Sequence, residues 1–136
     1  MIYLDSAAII KLIRREVATD ELVAWINERS DVPLVASVLV EVEVPRALRR
    51  AAPQGLMGVP ATLARLYRVE IDSSVRAIAA GYGESTLRSL DAIHLATAQI
   101  LADQPGADFT AFVTYDRRLL ESAKALGLPV ASPGVG

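Results

Sequence analysis

The sequence predicts an α/β domain, a three-layer α/β/α sandwich built around a mostly parallel sheet. Short apolar runs alternate with longer amphipathic segments along the whole chain, the pattern of parallel strands joined by helical crossovers. The 136 residues show no repeat, low-complexity segment or internal boundary, so residues 1–136 read as one domain. Hydrophobic residues make up 52% of the chain but aromatics only 5%, so the core must come mainly from Leu, Ile, Val and Ala.

The elements follow in order. Residues 2–4 form a first strand ending at Asp5, and Ser6 can N-cap a helix to about Glu16 with Ala8, Ile9, Leu12 and Ile13 on one face. Thr19 opens a second helix to about Arg29, which Asp31 and Pro33 end. Leu34–Ala36 is a second strand, and Ser37 caps a helix to about Ala51 that Pro45 interrupts. Pro53, Gly55 and Gly58 mark a loop, and Pro60 suits the first turn of another helix. Val69–Ile71 is a short strand candidate, followed by a helix from Ser73 to about Tyr82. A long helix runs from Ser89 to about Asp103, Thr110–Thr114 is a strand, Asp116–Leu126 a helix closed by Gly127, and Leu128–Ala131 a last strand.

Composition removes several functions. Without cysteine there is no disulfide scaffold, thiolate metal site or Cys nucleophile. No apolar run approaches the roughly 20 residues of a bilayer span, and the first residues lack a signal-peptide pattern. A cytoplasmic protein without membrane contact is the expectation. A net charge of −2 argues against coating nucleic acid by charge alone, but not against an enzyme that grips one phosphate through metal. Of the 14 basic residues only Lys11 and Lys124 are lysines, which leaves arginines for bidentate phosphate contacts. There is no GxxxxGK[ST] loop, no GxSxG elbow, no second acid at position 7 (an Ala) for an aspartyl phosphatase, and no lysine in Thr110–Thr114 for a receiver domain.

The acidic residues carry the chemistry. Asp5 ends the first strand and Asp116 follows the strand at Thr110–Thr114, and open α/β sheets bind ligands beyond the carboxyl ends of their strands. Asp91 starts the long helix, and Glu41 and Glu43 lie early in the helix after the second strand. Converging carboxylates repel one another and lose solvation, costs that a divalent cation removes. Mg²⁺ suits such a set because it takes carboxylate oxygens and keeps several waters. Taken singly, each acid is better explained as a helix cap or a solvated residue, and the case for a site rests on all of them together.

Glu41 and Glu43 cannot both face one ion. Two residues apart on a helix, they point about 200° apart and flank the apolar stripe Val40, Val44, Ala47, Leu48, Ala51 on opposite sides. Periodicity does not choose between them. Arg46 and Arg50 lie on the Glu43 side, where they could meet a phosphate, though a solvated arginine face explains them equally well. Pro45 removes the hydrogen bond to the Glu41 carbonyl, at roughly 3 kcal/mol; a bend there would either re-aim Glu43 or simply accommodate packing.

Four stretches resemble a known family. Ile2-Tyr3-Leu4-Asp5-Ser6, the run Ser37 to Arg50, Leu90-Asp91-Ala92-Ile93-His94-Leu95-Ala96-Thr97-Ala98, and Val113-Thr114-Tyr115-Asp116 are similar to the motifs of PIN-domain nucleases. They occur in the family's order, and the subset they most resemble is the VapC toxins. The resemblance implies a PIN-like fold and a quartet of Asp5, Glu43, Asp91 and Asp116 holding Mg²⁺ or Mn²⁺, with Ser6 and Thr114 as supporting hydroxyls. The family register favours Glu43 over Glu41. It also implies RNA as substrate, a VapB-type antitoxin and a homodimer. A non-catalytic PIN-like interaction module and an RNA-processing nuclease without antitoxin are the competing readings, and the intact quartet speaks against the first. His94, the only histidine, reads as a partly buried structural residue, Asp72 as an N-cap, and Asp103 and Asp108 as solvated turn residues.

Overall fold

The computed structural model describes residues 1–135. Five strands, β1 (Ile2–Leu4), β2 (Leu34–Ser37), β3 (Tyr67–Val69), β4 (Ala111–Val113) and β5 (Val130–Ala131), form one sheet in the order β3-β2-β1-β4-β5. Every pairing is parallel. The helices are α1 (Ser6–Ile13), α2 (Thr19–Asn27), α3 (Val40–Ala51), α4 (Val59–Ala64), α5 (Ser73–Gly81), α6 (Ser89–Ala102) and α7 (Arg117–Ala125). No helix among the described residues is long and apolar enough to cross a membrane.

The strands' period of two sorts side chains between two cores. Ile2 and Leu4, Leu34 and Ala36, and Ala111 and Val113 face one side, where Ile9 of α1, Leu22 of α2, Val44 and Leu48 of α3 and Leu63 of α4 cover them. Tyr3, Val35 and Phe112 face the other side, against Leu95 and Ala98 of α6 and Leu119 and Ala123 of α7. Helix α5 packs along α6. Helices on both faces of a parallel sheet make the expected three layers.

Several boundaries differ from the sequence reading. Asp5, not Ser6, is the N-cap of α1, its carboxylate accepting from the Ala8 amide, and the helix ends at Ile13 rather than Glu16. Ser37 is the last residue of β2; its hydroxyl accepts from Leu39 N, and α3 begins only at Val40. Pro45 does not interrupt α3, because buried Val40, Val44 and Leu48 hold the helix to the sheet on both sides of it. The third strand lies two residues earlier than its most apolar stretch, since Tyr67, Arg68 and Val69 are the residues in register with Val35, Ala36 and Ser37.

This topology creates the site. The chain leaves β1 towards β2 on one side and later returns to β4 on the other. Beyond the carboxyl ends of β1 and β4 lies a topological switch point, where the crossovers diverge and leave a crevice. Asp5 follows β1 there, and Thr114 and Asp116 follow β4.

Candidate active site

Asp5 is the anchor. It is only 4% exposed, with Oδ1 accepting from Ala8 N at 2.9 Å and Oδ2 from Thr114 Oγ1 at 2.6 Å. Burial pushes its carboxyl above the ordinary range; the Thr114 and Ala8 bonds and the nearby His94 ring oppose this, and Asp91 adds the smallest of these effects to the rise. The fold thus holds a carboxylate whose charge is opposed by its surroundings, a situation that a bound cation relieves.

Thr114 couples the two strand ends, because its hydroxyl also accepts from Asp116 N at 3.1 Å. Thr114→Val keeps the shape and removes both bonds. It should destabilise the protein by about 1–3 kcal/mol through the lost bonds of buried groups, read from urea unfolding, and should slow catalysis by releasing Asp5. Wild-type stability and rate in this variant would show that the coupling is idle.

Asp116 caps α7, its Oδ1 accepting from Arg118 N and Leu119 N at 2.9 and 3.1 Å. Capping and a role in the site are therefore compatible, since capping occupies one oxygen and the other faces elsewhere. Oδ2 of Asp116 lies 3.7 Å from Arg88, whose Nε is 3.3 Å from Asp91 Oδ2. One guanidinium thus spans the two carboxylates. The Arg88 side chain is 78% exposed, so the bridge is readily exchanged.

Glu43 and Glu41 part company. Glu41 turns to Arg68 of β3 at 3.1 Å, an exposed pair. Glu43 turns towards α6, where His94 Nε2 meets its Oε1 at 2.7 Å. Arg46 and Arg50 line, with Glu43 and Ser6, a groove of about 410 Å³ whose other walls include Ile10, Leu39, Ala47 and the exposed Val42 and Leu90. A second cleft of about 390 Å³ holds Asp91 and Asp116 together with Arg88, Arg117 and Arg118.

The four acids therefore lie towards the carboxyl end of the sheet but are not clustered as a cage. Among the described residues, no three acidic or histidine side chains stand close enough to hold one ion. The donors still fit Mg²⁺ or Mn²⁺. Such ions keep several waters and need only one or two carboxylates, and Asp5 and Asp91 are near enough for the charge of one to oppose that of the other. Asp72 does cap its helix, accepting from Val75 N.

Sequence reasoning did not single out Arg88, and it placed His94 as a structural residue without its contact to Glu43. Arg88 sits three residues before Asp91, the spacing of neighbours on a helix face. His94, three residues after Asp91, shares that face, and its contact with Glu43 spans 51 positions that no local pattern reports.

Comparisons with known proteins agree with this architecture. A family model described as PIN domain matches residues 2–125. Ribonuclease VapC35 of Mycobacterium tuberculosis (strain H37Rv) is 52% identical over 134 residues, covering 98% of each chain. Ribonuclease VapC46 of the same strain is 42% identical over 97% of each chain. Ribonuclease VapC47 of strain CDC 1551 is 39% identical over 98% of each. With the sheet order, the acidic switch point and a match running from the first strand into the last helix, the chain belongs to the PIN domain family.

Proposed function

We propose that this protein is an endoribonuclease toxin of the VapC type, hydrolysing RNA phosphodiester bonds at Asp5, Glu43, Asp91 and Asp116. The observation that carries the reading is Asp5, a buried carboxylate fixed by Thr114 at the switch point between β1 and β4. Its relatives are ribonucleases by name.

Asp5 and Asp91, with Asp116 and Glu43 beside them, would hold Mg²⁺ or Mn²⁺. The ion supplies charge to polarise a phosphate and lower the pKa of water. The chain's own part is positioning. Thr114 holds Asp5, α7 holds Asp116 by its cap, and Ser6 borders the groove beside Glu43. Arg46 and Arg50 on one side, and Arg88, Arg117 and Arg118 on the other, flank the acids where an RNA backbone would enter and leave.

The partners this reading implies are RNA, a second copy of the chain and a VapB-type antitoxin. That Asp91 and Asp116 already share one guanidinium supports an antitoxin arginine as the inhibitory group.

The test is cleavage of total cellular RNA by the purified protein, with the new ends mapped. Cuts at defined sites that appear with Mg²⁺ or Mn²⁺ and vanish with EDTA are expected. Intact RNA under every metal condition would overturn the proposal.

A further inference from the structure

The two buried polar side chains behind the acidic site form a chain that ends on Glu43. Tyr3 is fully buried, its ring stacked on Phe112 at 5.2 Å and 4° between planes. Its hydroxyl meets His94 Nδ1 at 2.7 Å, and His94, 1% exposed, places Nε2 2.7 Å from Glu43 Oε1. The contacts join β1, α6 and α3 across the core.

Burying a phenol and an imidazole is costly unless each is bonded, and a Phe–Leu pair would fill similar volume without that demand. Among the hydrogen bonds of the described residues, the only side chain that Nε2 reaches is Glu43. The direction of the bonds follows from chemistry. A carboxylate can only accept, so Nε2 must carry a proton; in the neutral ring Nδ1 is then bare and accepts from the Tyr3 O–H. The opposite tautomer would set a nitrogen lone pair against the carboxylate and point Nδ1–H at the phenol oxygen, so the phenol proton would have to turn towards Thr97.

We infer that Tyr3 and His94 are positioning residues, with Tyr3 holding the imidazole in the Nε2–H tautomer so that Glu43 is clamped by one oxygen and presents the other to the acidic site. The inference rests on Glu43 belonging to the nuclease site. Orienting partners of metal-site groups change activity or metal affinity by about 10–100-fold when removed, and the effect of Tyr3→Phe is expected at the lower end.

His94 is the only histidine, so a ¹⁵N-labelled sample reports its two ring nitrogens without overlap. In the metal-free wild type, one nitrogen should show the bare and the other the protonated shift of a fixed Nε2–H ring. Tyr3→Phe keeps the stacked ring and removes only the hydroxyl. It should shift His94 to averaged tautomers, lower kcat about tenfold and leave KM for RNA within about twofold, with Mn²⁺ affinity falling in parallel.

An unchanged single tautomer in Tyr3→Phe would overturn the inference, and so would averaged tautomers with unchanged kcat and Mn²⁺ affinity. Should that variant fail to fold, His94→Gln and His94→Leu decide. Gln can present an amide N–H near the place of Nε2 and should retain more Mn²⁺ affinity and activity than Leu; equal values would overturn the inference. If the wild type cleaves no RNA, the nuclease reading fails, while the tautomer and Mn²⁺ measurements still judge the clamp.

Discussion

Asp5→Asn should reduce RNA cleavage by at least about a hundred- to a thousandfold while leaving the fold intact. Loss of one fixed charge-stabilising group at a reacting centre has effects of that order, and the amide removes the charge that would hold a cation. The fold survives because Asn is an equally good N-cap, so its amide oxygen keeps the bond from Ala8 N, while the amide nitrogen takes the place of Oδ2 and donates to Thr114 Oγ1, whose own proton turns away. In EDTA the variant should be more stable than the wild type. Burial raises the Asp5 carboxyl in the folded state above its unfolded value of about 3.8, so ionisation favours unfolding. The stability gap should therefore be full at neutral pH, shrink as pH falls through the raised folded value, and vanish below the unfolded one. Thermal unfolding against pH in EDTA reads this directly. A variant with full nuclease activity, or one less stable than the wild type at neutral pH, contradicts the assignment.

The second large effect separates two neighbouring acids. Glu43→Gln should lower kcat at saturating Mg²⁺ by about a hundredfold or more, whereas Glu41→Gln should stay within about twofold of the wild type. Glu43 meets buried His94, while Glu41 pairs with Arg68 in a bridge whose side chains are 46% and 35% exposed. Exposed pairs contribute about 0–1 kcal/mol, so losing the Glu41 bridge should barely move the urea midpoint. Initial rates for both variants on one RNA substrate check this. Inactivity of Glu41→Gln with an active Glu43→Gln would put the wrong side of α3 in the site.

Much of the architecture was legible because it is a property of segments. The alternation of apolar runs and amphipathic stretches gave the parallel three-layer sheet, and the family motifs gave the membership that the PIN domain match shows. Asp116 and Asp72 sit at the helix starts their neighbours suggest, each accepting backbone N–H bonds. The third strand was misplaced because apolarity points to Val69–Ile71, whereas the strand is an edge whose exposed Tyr67 and Arg68 are chosen by backbone pairing with β2.

The sequence by itself determined the alternation of elements, the supply of acids at the carboxyl ends of the strands, and the two candidate glutamates on opposite flanks of one stripe. Only the tertiary structure decided which glutamate meets which neighbour. Both acids are equivalent by period, and the tie is broken by Arg68 of β3 on one side and His94 of α6 on the other. The Arg88 bridge over Asp91 and Asp116, and the line from Tyr3 through His94 to Glu43, are of the same kind. Propensity and periodicity belong to a helix or strand taken alone. The direction in which a side chain finds its partner depends on how that element is rotated and set against others, and here the packing of α3 and α6 on opposite faces of one sheet fixes it.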